Sequence, residues 1–125
     1  NFNYINYETA LNNYNIADLK KKYKKKITNY LSRVDILYEN AKKLNSHPIF
    51  ITNIDSRGFL ENIFIYNYSL ISHCKIKKYD CINLARKLEG KINYWLDGNH
   101  TTKDGSEVIA NLITEDLLKF IKKKN

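Results

Sequence analysis

The chain has 125 residues, 43% of them hydrophobic, and its 21 Lys and Arg against 13 Asp and Glu leave a net charge of +8. That length fits one domain, residues 1–125, with a usable core, and that apolar content excludes a disordered chain. No apolar run approaches the roughly 18–20 residues of a membrane helix, which excludes a helical span within these residues and predicts a soluble piece.

The chain starts at Asn1 and holds no Met, which predicts a fragment or processed product of a longer protein. Asn, Lys, Ile and Tyr make up about half of it. These four share A- and T-rich codons, so part of the positive charge and of the tyrosine content reflects base composition. The first 14 residues are Asn- and Tyr-rich, with Phe2, Tyr4, Ile5, Tyr7 and Leu11 as apolar anchors. They read either as an N-terminal arm or as an early start to the first helix.

That first helix carries the clearest pattern. Ile16, Leu19, Tyr23, Ile27, Tyr30, Val34, Leu37, Ala41 and Leu44 recur at steps of three and four with no Gly or Pro between them. The spacing predicts one continuous helix of about 29 residues, roughly 43 Å long at 1.5 Å per residue. It ends before Pro48, and an apolar face of that length requires packing partners. Within it lies a basic run of Lys20, Lys21, Lys22, Lys24, Lys25 and Lys26, echoed by Lys122, Lys123 and Lys124 at the other end. Such runs are solvated helix faces or sites for nucleic acid and anionic membrane.

Residues 49–54 read as an extended apolar connector rather than a strand, since no second strand is evident. Asp55 or Ser56 caps a second helix with Gly58 in its first turn, and Leu60, Ile63, Phe64, Asn67, Leu70, Ile71 and Cys74 mark its inner side. A basic turn follows. Cys81, Ala85, Leu88, Ile92 and Trp95 then recur at helical spacing, predicting a third helix from Asp80 to Asp97 with Gly98 just past its end. A turn-rich stretch leads to a last helix capped at Asp104 or Ser106, its buried side formed by Ile109, Leu112, Ile113, Leu117, Phe120 and Ile121. These elements together predict an all-α bundle of about four helices with one long N-terminal helix.

The two cysteines, Cys74 and Cys81, are seven positions apart. On a single helix their Cα atoms would be roughly 10.5 Å apart, too far to bond. With one helix ending at Cys74 and the next starting at Cys81, a disulfide staples the hairpin; two buried thiols are the alternative. His73 adjoins Cys74 but completes no metal set. No Ser/His/Asp or Cys/His arrangement emerges from His47, His73 and His100, and the four Gly are isolated, so neither catalysis nor a cofactor is expected. Asn67-Tyr68-Ser69 and Asn99-His100-Thr101 match the glycosylation pattern, with Asn99 the candidate because Asn67 lies on a packed helix. Trp95 belongs to the core by position. Tyr94 beside it, together with Lys20, Lys21, Lys24 and Lys25, forms the candidate binding surface.

The segment Asn93-Tyr94-Trp95-Leu96-Asp97, preceded by Asn83-Leu84 and Leu88, resembles a signature of variant surface antigens of malaria parasites. These are the interspersed-repeat (PIR) proteins and the related SURFIN-type ectodomains. The resemblance covers about 17 residues. PIR proteins usually carry a Cys shortly before this segment, where Glu89 and Gly90 stand here, and more Cys overall. The resemblance implies a helical ectodomain, secreted or exported, displayed on the parasite or infected-cell surface. Its implied work is contact with a host or parasite protein and diversification under immune pressure, with no catalytic residues. The competing reading is an intracellular basic helical module that binds nucleic acid or anionic membrane through Lys20–Lys26, with nucleic acid the less favoured partner.

Overall fold

A computed structural model describes residues 3–124 of the chain, with the Lys124 side chain outside the described set. Phe2, one of the expected anchors of the N-terminal arm, also lies outside the described residues. The order is α1 (Tyr7–Asn13), α2 (Ile16–Lys22), α3 (Lys24–Lys43), β1 (Ile49–Ile51), α4 (Glu61–Lys77), β2 (Asp80–Ile82), α5 (Leu84–Lys87), a 3-10 turn (Ile92–Tyr94) and α6 (Lys103–Lys124). The expected all-α four-helix bundle is therefore corrected. Among the described residues there are six α-helices and a small parallel sheet.

The arm reading of the N-terminus holds, but the first helix does not begin early: a separate short helix precedes it, divided from it by the extended Tyr14 and Asn15. Tyr4 and Ile5 form an arm that pairs with the chain at Gly58, and a helix starts two residues later. Asn6 caps α1 by accepting from the Thr9 amide at 2.8 Å, and Asn15 caps α2 by accepting from the Asp18 amide at 3.1 Å. The long helix is interrupted at Tyr23, whose ψ of 14° departs from helical geometry. The cause lies across the interface. The Tyr23 hydroxyl donates to Glu61 Oε1 at 3.1 Å, and Lys22 pairs with the same carboxylate, so the first turn of α4 grips the chain at the break.

Helices α3 and α4 run side by side in the same direction. Tyr23 meets Glu61, Tyr30 meets Tyr66, and Asp35 meets His73. One core lies under α1, α2 and the start of α4, built on Tyr7, Leu19, Ile27, Phe59, Phe64 and Ile65, where Tyr7 sits edge-on to Phe59 with centroids 5.7 Å apart. A smaller one joins Val34, Leu70 and Cys74, flanked by Phe50 and Tyr79. The apolar stripe of α3 is only partly used. Ile27 and Val34 are buried, but Leu37 and Leu44 are 60% and 78% exposed, because α4 ends opposite Asp35 and the last two turns of α3 overhang it.

Residues 49–51 are a strand and not a connector. Ile49, Phe50 and Ile51 pair in parallel with Asp80, Cys81 and Ile82. The partner strand lies where the expected Trp-bearing helix should begin, and α4 supplies the crossover that a parallel pair requires. The second helix also starts late, at Glu61. Residues 55–58 form a turn in which the Gly58 amide donates to the Asp55 carbonyl at 2.9 Å, while Asp55, buried, accepts from the Arg57 amide and guanidinium at 2.8 Å each. Gly58, at φ +81°, lies against the backbone of Ile5 so closely that a Cβ would overlap it.

The expected helix from Asp80 to Asp97 is replaced by β2, the single turn of α5 and a 3-10 turn. The helical spacing there is coincidental past Leu88. The Tyr4 ring occupies the space a Cβ on Gly90 would need, Ile92 is 68% exposed, and Trp95 reaches the core from extended backbone bridged to Thr101. The last helix is capped by Thr102, ahead of both expected caps: its Oγ1 accepts from the Gly105 amide at 3.1 Å and donates to the Asn93 carbonyl at 2.6 Å. Along α6 the expected buried side is half-buried through Ile109, Leu112, Ile113, Leu117 and Phe120, while Ile121 is exposed.

Cys74 and Cys81 form a disulfide, their Cα atoms 6.3 Å apart. Lys78 turns the chain between them through a left-handed conformation, φ 59°, and the Tyr79 amide donates to the Cys74 carbonyl at 3.0 Å. The bond thus joins the last turn of α4 to β2. Closing so short a loop is worth about 2.5 kcal/mol in the chain-entropy account. Denaturant unfolding of a Cys74→Ala/Cys81→Ala variant is expected to show that loss, and reduction of the wild-type chain should reproduce most of it. Coincident curves for the reduced and oxidised protein would contradict the assignment.

Candidate functional site

The basic run, read from the sequence as a helix face, straddles the Tyr23 break. Its lysines have different fates. Lys22 is held by Glu61, and Lys20 lies over the Tyr68 ring, 5.5 Å from its centroid. Lys21, Lys24, Lys25 and Lys26 are exposed and enter no ion pair among the described residues. Four of the five lysines from Lys21 to Lys26 therefore face solvent without an acidic partner among those residues.

This surface continues into a groove of about 540 Å³ between α3 and α4. From α3 come Lys26, Asn29, Tyr30 and Arg33, at helical positions i, i+3, i+4 and i+7, which share one face. From α4 come Asn62, Ile63 and Tyr66, and Asn53 closes one end. Among the described residues no carboxylate lines it, and Arg33, like Lys26, enters no ion pair. The floor is fixed by Asn67, which is buried: its Oδ1 accepts from the Asn53 amide and its Nδ2 donates to the Asn53 carbonyl, both at 2.8 Å. Tyr30 and Tyr66 pack edge to face at 5.2 Å, and burial pushes the Tyr30 hydroxyl above its ordinary range.

Lys21, Lys24 and Lys25 border a depression that shares Asn29 with the groove, Lys20 and Lys24 line another beside Ile27 and Ile76 that shares no residue with it, and Tyr94 lies apart from both. Tyr94 is half-buried, with Lys91 over its ring and its carbonyl packed on Gly105 and accepting from the Thr102 amide at 2.9 Å. It anchors the start of α6 and is not the free aromatic expected. Asn99 is exposed in the turn that follows, where Asp97 accepts from the Asn99 and His100 amides. Asn67, the other glycosylation match, is consumed by the clamp. The sequence reading missed Lys26, Asn29, Arg33 and Asn62. The signal was present as a polar row immediately beside the apolar stripe of α3, but a polar row acquires meaning only once a neighbouring helix turns it into a wall.

Elsewhere the titrating groups hold the fold together. Asp35 bridges α3 to α4 and the chain beyond it. Burial pushes its carboxyl up, but His73 at 2.7 Å and the donating Tyr79 hydroxyl at 2.8 Å outweigh that and hold it below the usual range. Arg57 lowers Asp55, Lys22 lowers Glu61, and the His100 and Asn99 amides bring Asp97 down to about 2. A carboxylate depressed in the folded state binds fewer protons there than in the unfolded chain. Its stabilisation is present above the ordinary carboxylate range and disappears as pH falls through the depressed value. The melting temperature should therefore hold between about pH 7 and 5 and fall progressively from about pH 4 to 2. Glu61→Gln should make that fall shallower, and a melting temperature that rises on acidification would reverse the sign.

No group of three or more His, Cys, Asp or Glu able to hold a metal ion occurs among the described residues, and none of their helices is long and apolar enough to cross a membrane. The disulfide is compatible with an extracellular or secreted protein. No family model, curated protein or solved structure matches the chain.

Proposed function

We propose that the chain is a non-enzymatic extracellular or exported recognition domain that binds a partner on a host or parasite surface by contact alone. A surface-antigen role fits this reading, given the likeness of residues 81–97 to parasite variant antigens. The observation that carries it is the pairing of a disulfide-closed scaffold with a face of cations that no carboxylate among the described residues neutralises. Unpaired surface charge does little for folding, and it raises the encounter rate with an oppositely charged partner. The disulfide favours an oxidising compartment over the cytosol.

The test is binding of the labelled, oxidised domain to intact host cells and to parasite surfaces. Saturable binding that falls when Lys21, Lys24 and Lys25 are together changed to Gln supports the reading. The second reading, an intracellular basic module, draws on the same lysines. It wins if the domain ignores intact cells but binds duplex DNA, RNA or anionic vesicles with affinity falling steeply as salt rises.

A further inference from the structure

We infer that the groove between α3 and α4 is a binding site for an acidic oligosaccharide, a chain of hydroxylated rings bearing carboxylate or sulfate groups. The inference deepens the reading of an extracellular recognition domain and rests on it.

Four features of the groove point to this ligand class. Lys26 and Arg33 stand seven residues apart on one helix face, roughly 10.5 Å along the axis, and neither is in an ion pair. They are placed to meet two separated negative groups rather than one compact anion, and the guanidinium offers the two-pronged geometry suited to a carboxylate or sulfate. Between and opposite them are Asn29, Asn62, Tyr30 and Tyr66, none of which makes a side-chain hydrogen bond among the described residues. A carboxamide offers donors and an acceptor side by side, which suits neighbouring sugar hydroxyls. Ile63 supplies an apolar patch for the C–H face of a ring. The site is also electrostatically one-sided, because the unpaired Lys21, Lys24 and Lys25 border a depression that shares Asn29 with the groove.

The tyrosine geometry decides against nucleic acid. A single strand is read by bases laid flat on exposed aromatic faces. Here Tyr30 and Tyr66 pack edge to face with planes 66° apart and are half-buried, so they do not form an open platform of parallel ring faces for successive bases.

The test is calorimetric titration of the oxidised chain with four probes: a heparin-derived octasaccharide, an oligouronate carrying carboxylates only, a 12-nucleotide poly-U RNA and a deca-glutamate peptide. The octasaccharide, the oligouronate or both should bind, which separates sulfate from carboxylate as the recognised acid, and RNA and peptide should bind at least about tenfold more weakly. Lys26→Gln and Arg33→Gln should each weaken sugar binding about tenfold, the scale of a lost charge-assisted hydrogen bond. Asn62→Leu, which leaves the charge unchanged, should weaken it about fivefold without altering the salt dependence. Lys43→Gln, which removes one charge at the far end of α3, and Lys42→Gln/Lys43→Gln, which removes two, should each change it less than twofold. Equal losses in the Lys42/Lys43 control, or RNA or peptide binding as tight as sugar, would overturn the inference. Cell binding that persists while all sugars fail would sink the ligand class but leave the recognition role standing. Failure of both would remove both.

Discussion

Gly58→Ala is expected to destabilise the protein by more than about 3 kcal/mol, lowering its melting temperature by about 10–15 °C. Two effects add. The backbone at φ +81° is a conformation that an L-residue with a side chain adopts only at a cost of roughly 1–3 kcal/mol. The new Cβ would also overlap the Ile5 backbone, which is fixed by the Ile5 amide donating to the Arg57 carbonyl and the Phe59 amide donating to the Ile5 carbonyl at 3.0 Å. Relief requires the arm to retreat. The arm leads directly into Tyr7 and α1, which cover Phe59 and Phe64, so its retreat opens the larger core. Gly98→Ala is the matched control: a Cβ there meets nothing within 4 Å, and the change should stay within about 0.5 kcal/mol. Thermal melts followed by circular dichroism separate the two variants. Equal melting temperatures would mean that the Ile5–Gly58 contact does not anchor the N-terminal segment.

Asn67→Ala should cost about 2–4 kcal/mol, an unusually large effect for a polar side chain. The carboxamide satisfies both backbone groups of Asn53 as a neighbouring strand would, and it does so from a position 1% exposed. Removing it leaves an amide and a carbonyl without their protein partners at the point where the chain leaves β1. Disturbance there spreads to Thr52, whose Oγ1 accepts from the Ala85 amide at 2.8 Å. Asn67→Asp adds a sign test. The carboxylate retains the bond from the Asn53 amide but repels the Asn53 carbonyl, and its burial favours the protonated form. The deficit of this variant relative to wild type should shrink as pH falls from 7 toward 5. Urea titrations at the two values measure it, and a constant deficit would show that the carbonyl partner is unimportant.

Much of the helical content was legible because its cause is local. The stripes of α3 and α6 follow a period that any amphipathic helix must show, and the hairpin argument for Cys74 and Cys81 needed only a turn between them. What was hidden depends on contacts distant in sequence. Nothing near Tyr23 disfavours helix; the break answers to Glu61, 38 residues away. Residues 80–82 look like a helix start until Ile49–Ile51 pair with them, and a three-residue parallel strand leaves almost no alternation to read. The Trp95 segment keeps helical spacing while Tyr4 against Gly90 and the Trp95–Thr101 bridge prevent a helix. The lysines were conspicuous, but the groove they border arises only when α3 and α4 lie side by side.

The disulfide has a further consequence for proteolysis. Lys75, Lys77 and Lys78 are exposed and lie inside the loop that Cys74 and Cys81 close. A trypsin-like protease that cuts after any of them severs the backbone without parting the two pieces, since sulfur still joins them. The two pieces stay joined until a reductant arrives, so cleavage there should show as two fragments only on a reducing gel.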